Sequence, residues 1–271
     1  MNICLENVSA GYEKDNFILN DISVSFTGGG IWGILGPNGS GKTTLLRVLS
    51  GILPYNGHVK LEAEKSKELS SLSKRELARY IAMMPQFTSV YFSYTVYETV
   101  KLGRYSHSGN SLGEMLGRMS THDLDVVDKA IETTGLTDMK DCRLSSLSGG
   151  QLQRVMLART IAQETPVILL DEPTNHLDLK HHTELISYLR DWAKRTTEVE
   201  GNTYPNTVIS VFHDIGTAAI LAENILLLKD GSIVKKGSAE EILSRDLLKD
   251  IYDTDVVDYY KEIMRRMNLI S

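Results

Sequence analysis

Long apolar runs are what this chain most plainly lacks. None of its hydrophobic stretches approaches the roughly 20 residues that a bilayer-spanning helix needs. The N-terminal Met1-Asn2-Ile3-Cys4-Leu5-Glu6-Asn7 has no basic segment followed by a long apolar one, so a secretory leader is not expected. Cysteine is scarce: Cys4 and Cys142 lie far apart, offer no framework of bridges, and fit a reducing compartment. A basic excess is missing too. With 35 acidic against 29 basic residues the formal net charge is −6, which speaks against a nucleic-acid surface because phosphate neutralisation needs a positive balance. There is no internal repeat and no low-complexity tract. What remains is ordinary for a globular protein: 271 residues, 42% hydrophobic and 24% charged, enough for one large domain or a domain with an inserted part.

One segment stands out from that plain background. Gly36-Pro37-Asn38-Gly39-Ser40-Gly41-Lys42-Thr43 follows the apolar run Ile31-Trp32-Gly33-Ile34-Leu35 and precedes the helical pattern Thr44-Leu45-Leu46-Arg47-Val48-Leu49. A strand, a glycine-rich turn and a helix in that order are the setting of a phosphate-binding loop in a nucleotide triphosphatase. The glycines let backbone N–H groups turn inward around an anion, and the helix points its positive end at the same place. Lys42 can then reach the β- and γ-phosphates, and the Thr43 hydroxyl can ligate an accompanying magnesium ion. The competing explanation is a glycine-rich turn that matches by accident.

Other apolar runs end in polar residues of the right kind. Tyr80-Ile81-Ala82-Met83-Met84 leads into Pro85-Gln86, Val167-Ile168-Leu169-Leu170 into Asp171-Glu172, and Val208-Ile209-Ser210-Val211-Phe212 into His213-Asp214. Short apolar runs alternating with amphipathic helices predict an α/β fold with a mostly parallel sheet, and ligands of such sheets sit beyond the carboxyl ends of the strands. Four strands are thus expected to deliver the phosphate loop, a glutamine, an acidic pair and a histidine to one edge. Ile3 to Val8, Ile18 to Phe26 and Gly57 to Leu61 have the alternating character of an N-terminal antiparallel β-subdomain. Thr95 to Arg104 and Leu124 to Thr134, joined by Gly/Ser-rich connections such as Ser106 to Ser111, predict an inserted helical subdomain over about residues 87–150. The catalytic core then occupies about 1–86 and 151–271 of a single 1–271 domain. Ala239 to Ser271 reads as charged amphipathic helices packed on the core.

Leu147-Ser148-Gly149-Gly150-Gln151 is the second motif. Ser148 and Gln151 form the pattern of a capping box opening a helix. Two glycines in a first turn cost roughly 1 kcal/mol each against alanine, so the position calls for bare backbone; a helix start of this kind is a ready anion site.

A phosphate loop, this LSGGQ segment about a hundred residues later, and a strand ending in Asp-Glu together resemble the ATP-binding-cassette (ABC) ATPases over nearly the whole chain. The resemblance implies a P-loop NTPase core and a head-to-tail homodimer enclosing two ATP molecules, in which the Lys42 loop of one copy faces the Ser148 helix of the other. Residues carried over are the phosphate loop from Gly36 through Pro37, Asn38, Gly39, Ser40, Gly41, Lys42 and Thr43 to Thr44, and the signature Ser148, Gly149, Gly150 and Gln151. Asp171 matches the magnesium anchor, with Thr43 and Gln86 beside it; Glu172 matches the general base and His213 the switch histidine. Gln86 matches the Gln-loop, Asp178 in Pro173-Thr174-Asn175-His176-Leu177-Asp178 the cross-interface contact, and Tyr12 the aromatic on which adenine stacks. Taken singly, Tyr12 reads equally as a turn tyrosine, Gln86 as a loop residue, His213 as a structural histidine, and Asp171 with Glu172 as a solvated strand end. His176, His181 and His182 do not share a helix face, so a histidine metal site is set aside.

The resemblance further implies an ATPase that uses ATP and Mg2+, bound to the cytoplasmic face of a membrane through separate permease subunits and served indirectly by an extracytoplasmic substrate-binding protein. Thr95-Val96-Tyr97-Glu98-Thr99-Val100, Leu102-Gly103-Arg104-Tyr105 and Asn175-His176-Leu177-Asp178 resemble the iron-siderophore, haem and cobalamin uptake ATPases. The alternatives are an ATPase for another cargo, a soluble cassette protein of translation or DNA repair, and a non-catalytic scaffold. The polar stretch Lys194 to Asn206 is extended relative to the usual pattern.

Overall fold

The computed structural model describes residues 1–13, 16–63, 65–86, 94–107, 119–175 and 177–267. Strands β1 (Asn2–Ala10) and β2 (Leu19–Phe26) pair antiparallel, with Ile3 opposite Phe26 and Leu5 opposite Val24. Next come β3 (Gly30–Leu35), α1 (Lys42–Leu49), β4 (Asn56–Glu62), β5 (Ser66–Glu68), α2 (Lys74–Tyr80) and β6 (Ile81–Met84). The antiparallel sheet has the order β2-β1-β4-β5. After it the chain forms α3 (Val96–Lys101), α4 (Thr121–Thr133) and α5 (Gly149–Ile161), then β7 (Val167–Asp171) and α6 (Leu179–Ala193). The remainder is β8 (Thr196–Val199), β9 (Asn202–Pro205), β10 (Thr207–Val211), α7 (Ile215–Leu221), β11 (Asn224–Lys229), β12 (Ser232–Ser238), α8 (Ala239–Ile242), α9 (Arg245–Tyr252) and α10 (Val256–Arg266).

The second sheet has the order β12-β11-β3-β10-β7-β6, parallel from β11 to β6 with β12 as an antiparallel edge. Its central strands read as unbroken apolar runs because both faces are covered. In β7, Val167 and Leu169 turn toward the antiparallel sheet and α1, whereas Ile168 and Leu170 turn toward α6 and α7. Register then decides the site. Ile34 pairs with Val211, Val211 with Asp171, and Leu170 with Met84, so the carboxyl ends of β3, β10, β7 and β6 finish side by side.

Helices α3, α4 and α5 bury a cluster of their own around Val96, Val100, Val127, Ile131 and Val155. Helix α5 straddles the expected boundary near residue 150: Leu152, Val155 and Ala158 face that cluster and Leu157 faces the layer beneath the parallel sheet. Apolar side chains therefore run around it, as expected of a helix buried on both sides. An ion pair anchors the same cluster. Arg104, fully enclosed, donates from Nε to Asp123 at 2.8 Å and from Nη1 to Glu164 at 2.7 Å.

The extended polar stretch is a hairpin. β8 and β9 pair antiparallel across Glu200-Gly201, both at positive φ (55° and 81°), as a two-residue primed turn requires. It is docked on α2, where Glu200 accepts from Arg79 and from the Tyr80 hydroxyl and Tyr204 meets the Tyr80 ring edge-on. Among the described residues no helix is long and apolar enough to cross a membrane.

Candidate nucleotide site

The loop after β3 wraps its carbonyls and amides around the start of α1. A Cβ on Gly36 would sit 2.1 Å from the Leu228 carbonyl oxygen, so only glycine lets the loop leave β3 against β11. Asn38 and Gly39 are exposed, whereas Ser40 is buried and its Oγ has no partner among the described residues. Lys42 is folded back under the loop, its Nζ donating to the Gly36 and Pro37 carbonyls at 2.8 Å each. Burial pulls the Lys42 ammonium below its ordinary pKa, and the nearby charges of Glu172 and Asp171 oppose that shift. Lys42 Nζ and the amides at the start of α1 are donors that suit an anion.

Thr43 and Asp171 meet across the sheet edge, the Thr43 hydroxyl donating to Asp171 Oδ1 at 3.1 Å. Burial raises the Asp171 carboxyl above its ordinary pKa and the Glu172 charge raises it further, while the Thr43 hydrogen bond works the other way. Glu172 leaves β7 at φ 51°, a left-handed backbone unusual for a side-chain-bearing residue. Its N–H donates to the Val211 carbonyl at 3.2 Å, and its carboxylate accepts from Gln86 Nε2 at 2.9 Å and from the Asn175 amide. His213 is exposed just beyond β10, after Phe212, whose N–H bonds the Ile34 carbonyl. The expected residues Lys42, Thr43, Gln86, Asp171, Glu172 and His213 thus converge on one edge.

Tyr12, in the loop between β1 and β2, is half exposed beside α1. Arg47 donates to its hydroxyl at 2.8 Å and lies 5.3 Å from its ring centroid, and Thr44 Oγ1 is 3.5 Å away. These contacts tie the ring to the first turns of α1.

Similarity to known proteins agrees with this geometry. The ABC transporter family model matches residues 19–175, more than half of the chain. The chain belongs to the ABC transporter family. An uncharacterized ABC transporter ATP-binding protein of Bacillus subtilis is 39% identical over 253 residues, which are 93% of this chain and 53% of that protein, so this chain spans about half of that relative's length. The iron(3+)-hydroxamate import ATP-binding protein of the same organism is 33% identical over 94% of this chain and 88% of its own. Among solved structures, a dimeric post-hydrolysis state of an ATP-binding cassette bound to ADP and Pi superposes with a TM-score of 0.73 at 26% identity, covering 88% of this chain and 98% of that one. As an ABC cassette the chain binds a nucleotide and hydrolyses ATP.

The expected signature residues lie apart from the loop around Lys42. Ser148 caps α5, accepting from the Gln151 N–H at 3.3 Å, and Gln151 Oε1 accepts from the Ser148 N–H at 2.8 Å; the capping box is real. A Cβ on Gly149, however, would meet nothing within 4 Å among the described residues, so no contact with them explains the glycine. Ser148, Gly149, Gly150 and Gln151 line an open cleft of about 520 Å³ together with Leu177, Asp178 and His181. Asp178 caps α6, accepting from the His181 N–H at 2.9 Å and meeting its ring nitrogen at 2.7 Å; the backbone hydrogen bond keeps its carboxyl below the ordinary pKa. His182 turns instead to the Thr217 hydroxyl, and His176 lies outside the described residues.

Three residues that the motifs did not mark belong to the site's frame. Asn175 holds Glu172 from the following turn. Gln153, buried on α5, donates to the Glu172 and Pro173 carbonyls. Asp214 caps α7 directly after His213, and its position after a strand and before Ile215 was a readable N-cap signal. The contacts of Gln153 join separate elements and have no local signature, whereas Asn175 reaches Glu172 within one turn.

Proposed function

We propose that this chain is the ATP-hydrolysing subunit of an importer for an iron chelate, haem or cobalamin, working on the cytoplasmic face of a membrane as a head-to-tail pair beneath separate permease subunits. The observation that carries the pairing is the open Gly149 start of α5 beside Asp178, where a Cβ would meet nothing among the described residues: a helix N-terminus free to take an anion from outside. A second copy turned by a two-fold axis supplies the occupant, an ATP seated on its own Lys42 loop. The dimeric cassette with ADP and Pi supports the same arrangement.

In the closed pair, the triphosphate takes over the Lys42 ammonium from the Gly36 and Pro37 carbonyls. Ser40 Oγ and the loop amides complete the cradle, and adenine stacks on Tyr12. Thr43 and Asp171, two hard oxygen donors 3.1 Å apart, suit a magnesium ion; when bound, it neutralises charge on the β- and γ-phosphate oxygens. Glu172 accepts the proton of the attacking water as its oxygen bonds to the γ-phosphorus and the bond to the β–γ bridging oxygen breaks, giving ADP and phosphate. Gln86 and Asn175 aim that carboxylate, and His213 donates toward the γ-phosphate.

The cargo reading is supported by the hydroxamate-import relative and by the segment from Thr95 to Tyr105. In that segment Val96, Thr99, Val100, Gly103 and Arg104 are buried and hold the helical cluster, which leaves Tyr97, Glu98, Lys101 and Tyr105 to meet a permease. Deleting the subunit and measuring uptake of labelled ferric siderophore, haem and cobalamin beside an amino acid tests it. Loss of a chelate's uptake is the expected result. Loss of amino-acid uptake alone, with all three chelates entering normally, would overturn the cargo and leave the ATPase reading in place.

A further inference from the structure

Gln153 joins two parts of the machinery that the proposed dimer assigns to different ATP molecules. It lies on α5 five residues after Ser148, about 7.5 Å along the axis, and is 7% exposed. Its Nε2 donates to the Pro173 carbonyl at 2.7 Å and to the Glu172 carbonyl at 3.3 Å. Its Oε1 has no partner among the described residues. A buried amide with an idle acceptor is a poor space-filler, because an apolar side chain of the same size would leave nothing unsatisfied. The donating end is what this position uses.

Gln153 holds the backbone just where the β7 ladder ends. The β7 ladder ends at Asp171, and Glu172 follows in a left-handed conformation at φ 51°. Its N–H bonds Val211 at the end of β10, and its C=O accepts from the Asn175 N–H of the same turn and from Gln153 on α5. Of these three anchors Gln153 is the one carried by α5, so the direction of the Glu172 carboxylate follows where α5 sits. The opposite end of α5 is the Ser148 anion site.

We propose that Gln153 is a positioning residue that couples the two ATP sites of the dimer, an inference that rests on the head-to-tail reading above. Seating of the partner's γ-phosphate on Ser148 moves α5 as a rigid rod. Gln153 passes that displacement to the Glu172 and Pro173 carbonyls and turns the Glu172 carboxylate toward the water at its own chain's ATP. Hydrolysis in one site is thereby conditional on occupancy of the other. The two-state element is α5, which both sites bias.

The test uses Gln153→Met, which keeps the volume and removes the donor, and Gln153→Asn, which keeps an amide but draws it back by one methylene. Hydrolysis is measured against ATP concentration for the full chain, and ATP-dependent dimerisation by sizing chromatography with each substitution placed on Glu172→Gln. The relay predicts that kcat falls about a hundredfold, the loss that a misplacement on the order of 1 Å brings. The Hill coefficient should drop to one, half-saturating ATP should change less than about twofold, and closed dimers should still form. A folded Gln153 variant with unchanged kcat and Hill coefficient overturns the proposal, as does one that no longer dimerises with ATP, since Gln153 would then serve closure itself. Should Gln153→Met fail to fold, Gln153→Asn carries the same expectations. If Glu172→Gln alone never pairs with ATP bound, the dimer reading falls, and the relay with it; if it hydrolyses ATP normally, Glu172 is not the base and the relay has nothing to aim.

Discussion

The hydroxyl of Tyr252, at the end of α9, accepts the Gly36 N–H at 3.0 Å, so a C-terminal helix holds the first residue of the phosphate loop. Burial raises the Tyr252 phenol above its ordinary pKa and keeps it a neutral partner. Gly36 is itself buried, and losing the hydroxyl leaves its amide without a partner, a loss of about 1–3 kcal/mol. Tyr252→Phe should lower the melting temperature by several degrees and weaken ATP binding several-fold, read by thermal denaturation with and without ATP. A variant with unchanged affinity and stability would show that the loop needs no brace from α9.

Tyr260 on α10 does the same for the switch segment. Its hydroxyl donates to Asp214 and accepts from the Gly216 N–H at 2.9 Å. Tyr260→Phe should leave ATP affinity nearly unchanged and speed amide hydrogen exchange over the first turn of α7, because the Gly216 amide loses a partner. Unchanged exchange at residues 215–218 would contradict the bracing role.

Replacing Glu172 by Gln removes the proton acceptor while keeping a group that hydrogen-bonds water. Hydrolysis should fall by about 10²–10⁴-fold with ATP binding retained, and ATP should then trap the closed dimer. Asn175→Ala should lower kcat less, by about tenfold, because Gln86 still holds the carboxylate. Normal turnover of Glu172→Gln places the base elsewhere.

Acid should weaken the helical cluster first. Burial alone would raise the Asp123 carboxyl, but hydrogen bonds from Ser120 and Arg104 outweigh it and hold the folded-state pKa below the ordinary 3.8. A lowered folded-state pKa means that the group's stabilisation is present above 3.8 and is lost as pH falls through the folded value. Asp123→Asn should cost about 3 kcal/mol near neutral pH, since it leaves the enclosed Arg104 with one partner fewer. The difference from the unsubstituted chain should shrink at about pH 3. Urea unfolding at the two pH values checks both; an equal difference at both would mean that the pair is not charged.

Much of this was legible in the sequence. The strand-loop-helix around Lys42, the Asp171-Glu172 strand end and the Ser148 helix start each have a local cause, so residue order alone predicts them. The parallel sheet followed from its apolar runs, with β10 and β7 named by what ends them. Other features escaped for physical reasons. The hairpin β8–β9 turns on Glu200-Gly201 rather than an Asn-Gly or Asp-Gly pair, and its strands are polar on one face, so it read as a loop. Its β-branched and aromatic Thr196, Thr197, Val199, Thr203 and Tyr204 were the available signal. Arg104, taken as part of a family-like surface segment, is an enclosed structural cation. Gln153 and Tyr252 act through contacts between elements, which no spacing rule encodes.

The shared site is the central claim, and a mixture of two disabled chains tests it most directly. Lys42→Ala removes the charge that binds the triphosphate, and Ser148→Arg fills the place where the partner's γ-phosphate docks; each alone should neither close nor hydrolyse. Mixed one to one, a head-to-tail dimer contains one composite site built from the Lys42 loop of the Ser148→Arg chain and the intact Ser148 helix of the Lys42→Ala chain. The account predicts that the mixture recovers an ATP-dependent dimer that neither variant forms alone. A mixture that pairs with ATP no more than its two components, with both variants folded and the Ser148→Arg chain still binding ATP, would contradict it.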